Sequence, residues 1–151
     1  VLQHNKDMPY PLPPGSYGLL LPVHAGLVSL AFLLSLAGMF FPRYLKRHKW
    51  WLQAHLLFAG LGAGLSVAGV GAAAMMVASS TRAQLRVPHA ISGTVTLALS
   101  LAAPILGRVM FEVHGKLGGC RTAHRWVGRA AILALAGTIL LGLLQAGWLR
   151  L

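Results

Sequence analysis

The chain has 151 residues, 56% hydrophobic and only 10% charged, with two acids against thirteen Lys and Arg for a formal charge of +11. A soluble domain of this length needs a more polar surface, so the composition excludes a soluble globular protein. The basic residues gather between apolar stretches rather than along one amphipathic face, which reads as membrane orientation and not as a nucleic-acid footprint.

Residues 1–18 hold Pro9, Pro11, Pro13 and Pro14 and are predicted to form an extended arm ahead of a membrane domain over 19–151. A first span is predicted over 19–41, followed by the short basic loop that contains Arg43, Lys46, Arg47 and Lys49. The second span covers 50–78, with Trp50 and Trp51 suited to a membrane interface. A polar connector over 79–87 leads to a third span that opens at Pro88, where a missing N–H costs nothing. This span runs to residue 109, and Pro104 is expected to kink it. A loop is predicted over 111–122, with Gly115, Gly118 and Gly119, before a last span over 123–148. Each span has the roughly 20 residues that cross a hydrocarbon core. Short connections make successive spans antiparallel, so the expected fold is an all-α, up-down, four-helix transmembrane bundle.

Nine basic residues flank the connections between spans 1 and 2 and between spans 3 and 4: Arg43, Lys46, Arg47, Lys49, Arg108, Lys116, Arg121, Arg125 and Arg129. The opposite face has four, Lys6, Arg82, Arg86 and Arg150. The excess assigns the first set to the cytoplasmic side or its organellar equivalent, with both termini on the other side.

Each span begins with a histidine: His24, His55, His89 and His124, at separations of 31, 34 and 35 residues. Alternating direction sorts them by face, His24 with His89 on the outer side and His55 with His124 on the inner. From His24 to the end of its span is ~25 Å at helical rise, so the pairs are well separated. Each pair, on diagonally placed helices, could clamp one flat macrocycle, giving two haem sites, one near each membrane face. One turn deeper stand Val28, Ala59, Gly93 and Gly128, and small residues beside an axial ligand leave room for a porphyrin. Close helix packing is the competing use of such glycines and the simpler account of Gly60, Gly62 and Gly64. A lone interfacial histidine commonly just sits among headgroups; four at matching depths point to ligation. Zinc fits poorly, because it takes three or four protein ligands at one point and each face offers two. His4, His48 and His114 fall in the arm and loops and read as solvated.

No Cys-x-x-Cys-His occurs, so a haem here is held without thioether bonds, and the single Cys120 allows no internal disulfide. With both axial positions filled by histidine, the expected chemistry is electron transfer rather than oxygen activation. No acid lies within a span, which argues against a carboxylate proton relay.

These residues resemble the cytochrome b561 family, in detail its DOMON-associated branch. The resemblance runs over residues 20–147. It rests on His24-Ala-Gly-Leu-Val-Ser-Leu-Ala-Phe, Trp50-Trp51 with His55, His89 with Gly93 followed by Ala103-Pro104-Ile-Leu-Gly107, and His124-Arg-Trp-Val-Gly128-Arg129. It implies two b haems, one on His24 and His89 and one on His55 and His124, and electron transfer across a membrane from cytoplasmic ascorbate to an outside acceptor. Family members usually have five or six spans, and Gln stands where this chain has Ala103. Lys46, Lys49 and Arg125 are the candidates for binding an anionic donor. The alternative function is that of a haem b-containing anchor subunit of a larger respiratory or photosynthetic complex, reactive with quinol. A purely structural membrane subunit without cofactor is the third reading.

Overall fold

The computed structural model describes residues 16–80, 87–112 and 118–149. It holds four helices, α1 (Ser16–Tyr44), α2 (Trp51–Ser80), α3 (Pro88–Glu112) and α4 (Gly118–Gln145), and among the described residues there is no strand. All four are long and apolar enough to cross a membrane. The chain is a multi-pass integral membrane protein.

α1 and α3 outrun their predicted bounds, α2 runs from Trp51 to Ser80 against 50–78, and α4 starts earlier than predicted, at Gly118, but ends at Gln145, short of 148. α1 takes in residues 16–18, which the sequence assigned to the arm, and the rest of the arm lies outside the described residues. The glycine-rich loop expected over 111–122 is shorter than predicted, because Phe111 and Glu112 remain in α3 and α4 already starts at Gly118. Glycine lowers helix propensity by about 1 kcal/mol, less than a helix gains by continuing to the membrane surface with its backbone bonded. Local bonds set the other ends. Ala90 and Ile91 both donate to the Val87 carbonyl at the head of α3. At the tail of α4, Gly147 adopts φ +72°, and the Gly147 and Trp148 amides bond back to Leu144 and Leu143, a Schellman closure that needs glycine at the left-handed position.

Apart from Leu135 and Met76, the interior is made of small residues. Seven residues after each histidine, two turns along the same face, stand Ala31, Gly62, Thr96 and Ala131, all buried. Large apolar side chains point outward instead, Leu33 being 58% and Leu133 74% exposed. That inversion suits a bundle whose solvent is lipid, where helices associate through close backbone approach and not through hydrophobic exclusion.

Contacts concentrate within two hairpins, α1 with α2 and α3 with α4, and are sparse between α2 and α3 and between α1 and α4. In the first hairpin the helices touch through glycine. A Cβ on Gly62 would meet the Ala31 carbonyl at 3.1 Å and the Ser35 side chain closer still, whereas at Gly60 and Gly64 it would meet nothing within 4 Å. Of these three glycines, only Gly62 packs against α1. Gly62→Leu is therefore expected to lower stability by about 1–3 kcal/mol, while Gly64→Leu leaves it unchanged or higher. Thermal denaturation of the two variants in one detergent checks the contrast, and equal melting temperatures would refute it.

Candidate functional site

The antiparallel hairpins bring the start of each helix beside the end of its partner. There the four histidines behave alike. His24 Nδ1 lies 2.8 Å from the Gly69 carbonyl oxygen, and His55 Nδ1 lies 2.7 Å from that of Gly38. His89 Nδ1 lies 3.0 Å from the Thr138 oxygen, and His124 Nδ1 lies 2.8 Å from that of Ala103. A carbonyl only accepts, so each ring carries its proton on Nδ1 and donates it across its own hairpin. The lone pair is left on Nε2.

The spacing explains the repetition. Each accepting residue stands 14 positions after the histidine of its own helix: 24 to 38, 55 to 69, 89 to 103 and 124 to 138. Fourteen residues are about four turns, so histidine and acceptor share a face ~21 Å apart. Two antiparallel copies of such a helix satisfy each other's histidine at both ends.

Across the bundle, the histidines meet in the pairs expected from topology. The His24 and His89 ring centres are 6.0 Å apart, and those of His55 and His124 are 6.1 Å apart. The interplanar angles are 79° and 88°. Each pair joins diagonal helices and takes one ring from each hairpin.

The ring separation within each pair would suit two imidazoles holding one metal between them. A metal–imidazole bond is about 2 Å long, and the ring centre lies roughly 1 Å beyond the nitrogen, so two axial imidazoles stand about 6 Å apart. Rings that both contain the bond axis can take any angle about it. Nδ1 bonded to a backbone carbonyl is the arrangement that fixes the tautomer of a ligating histidine. Among the described residues, no three or more of His, Cys, Asp and Glu converge on one point.

Two further glycines, Gly107 and Gly142, seat the rings. A Cβ on Gly142 would stand 2.8 Å from His89 Cε1, and one on Gly107 would stand 3.2 Å from His124 Cε1. Both lie four residues after an accepting carbonyl, where a side chain would cover it. Gly93 and Gly128, one turn from His89 and His124 in sequence, are differently placed. A Cβ at Gly93 would meet only the Thr138 methyl at 3.8 Å, and at Gly128 nothing within 4 Å.

The donor candidates share the end of the bundle where His55 and His124 lie. Lys46 Nζ sits 5.9 Å above the Trp51 ring, and Lys49 and Arg125 are exposed. Arg129 lies 5.1 Å over Trp126. His48 is less free than a solvated loop residue, since it stacks on Trp50 at 5.4 Å. His4 and His114 lie outside the described residues, as do Lys6, Arg82, Arg86, Lys116 and Arg150.

Fold and site together define a four-helix membrane bundle with two equivalent histidine pairs, one near each end. Compared with known proteins, the chain matches no family model, no curated protein and no solved structure.

The glycine seats can be tested without any ligand. Gly142→Ala forces the His89 ring off its seat and should shift its ring nitrogen resonances in 15N spectra, leaving His124 in place. Gly128→Ala should move neither ring. An unshifted His89 in Gly142→Ala would mean that the seat does not constrain it.

Proposed function

We propose that this chain is a transmembrane electron carrier that holds two b haems, one between His24 and His89 and one between His55 and His124. The observation that supports it best is one arrangement occurring four times: Nδ1 bonded to a carbonyl, and a second ring about 6 Å away on the opposite hairpin. When bound, haem iron supplies one-electron redox chemistry. The protein's part is to hold and insulate it. The Nδ1–H bonds keep each Nε2 deprotonated and fixed in direction, and a haem held by two histidines would have no open site for oxygen. The lipid-facing leucines keep water from the interior. The resemblance to cytochrome b561 proteins points the same way.

In this reading the end with His55 and His124 faces the cytoplasm, and both termini lie outside. Lys46, Lys49 and Arg125 draw an anionic donor, ascorbate in the resembling family, toward that end by charge. A second reading is a haem-bearing subunit of a larger assembly. It is favoured by an apolar groove of about 380 Å³ between α1 and α4, lined by residues that include Phe32, Ile139 and Leu143, which a neighbouring apolar helix would fill.

The purified chain should carry two non-covalent b haems by pyridine-haemochrome assay. His89→Ala and His124→Ala should each remove a different spectral component. No haem, or loss of the same component in both variants, would overturn the assignment. Gly93→Leu and Gly128→Leu should lower haem occupancy, since in this reading both glycines border the haem planes; full occupancy in both variants would refute that role.

For the donor, stopped-flow reduction by ascorbate in oriented proteoliposomes should slow several-fold in Lys46→Ala/Lys49→Ala, and also on raising salt, which screens such attraction. Rates indifferent to both would remove the basic docking site. Rapid reduction by a quinol with none by ascorbate would favour the subunit reading.

A further inference from the structure

Pro42 lies inside α1, near its end at Tyr44. Proline has no N–H, and the N–H of residue 42 is the one a regular α-helix delivers to the carbonyl four residues back. That carbonyl belongs to Gly38, and it is the one that accepts His55 Nδ1 at 2.7 Å. The other three accepting carbonyls lie four residues before Ala73, Gly107 and Gly142, each within its helix and each with an N–H to share. Prolines at 22 and 104 vacate the carbonyls of Gly18 and Ser100, and none of the four rings donates to either.

We propose that Pro42 is a positioning residue for His55: by withholding a helical N–H it leaves the Gly38 carbonyl to the imidazole alone. Two N–H groups at one oxygen compete for its electron density and repel each other, so an unshared carbonyl accepts more strongly. A vacated carbonyl within a membrane span is also costly unless something bonds it. The ring and the proline therefore complete each other. The consequence is that His55 has the strongest Nδ1–H bond of the four histidines and the most electron-rich ring. The redox effect of this rests on His55 being an axial ligand; the hydrogen-bond effect does not.

The test uses the full chain, 15N-labelled at histidine, in lipid vesicles. The four Nδ1–H proton resonances are assigned through single His→Gln variants. His55 should lie furthest downfield, Pro42→Ala should move it upfield toward the other three, and Pro22→Ala should leave it alone. A wild-type spectrum in which His55 is not furthest downfield overturns the proposal, whether or not the variant folds. So does a His55 resonance that Pro42→Ala leaves unmoved.

In haem-loaded chain, potentiometric titration of Pro42→Ala should favour reduction of the His55–His124 component about threefold, ~28 mV at 59 mV per decade for one electron. The other component should not move, and an equal shift in both would overturn the proposal. A chain that takes up no haem counts against the electron-transfer reading and leaves the proton resonances to decide on Pro42.

Discussion

An imidazole N–H inside a membrane has no water to bond, and leaving it unpaired costs several kcal/mol. Everything particular about this bundle follows from how that demand is met. In all four cases the acceptor is a backbone carbonyl. Helical carbonyls are already engaged, but each has a second lone pair and can take a second donor if the donor reaches it. Reaching it requires the partner helix to come close and the carbonyl to be uncovered. Small residues at the hairpin contacts satisfy both conditions, and only then is the ring fixed with Nε2 free.

The two hairpins meet the condition with different residues. In the first, the accepting residues are themselves glycines. A Cβ on Gly38 would meet the Ala59 backbone nitrogen at 3.0 Å, and one on Gly69 would press the Val28 side chain at 2.7 Å. In the second, the acceptors are Ala103 and Thr138, and the glycines have moved elsewhere. Gly93 faces the Thr138 methyl, and Gly107 and Gly142 clear the way to the carbonyls. The two hairpins thus place their small residues at different positions of the contact. That is the behaviour of a packing constraint shared between two helices.

This division decides what could be read from the sequence. Four spans and the pairing of His24 with His89 and His55 with His124 were legible, because hydropathy sets the spans and strict alternation sets the faces. The carbonyl partners were not, since a backbone acceptor leaves no side-chain mark. Their only trace is a small residue 14 positions after each histidine, and small residues are common in all four spans. Gly107 was visible as part of a motif, but its role as a seat depends on which helix turns toward it. The helix ends were misjudged where glycine suggested a loop, because local propensity is weaker than the need to keep a backbone bonded within the membrane.

Within each hairpin, glycine contacts and two ring-to-carbonyl bonds specify the packing. Between hairpins there is much less. Helix contacts there are sparse, and the most specific approaches are the two edge-on histidine pairs. Such ring contacts are worth about 0.5–1.5 kcal/mol each. A ligand gripped by one histidine from each hairpin would be bound only when both hairpins are in place, so its binding energy would add directly to the stability of the four-helix arrangement. Two such ligands, one at each end, would fix the tilt of the hairpins as well as their separation.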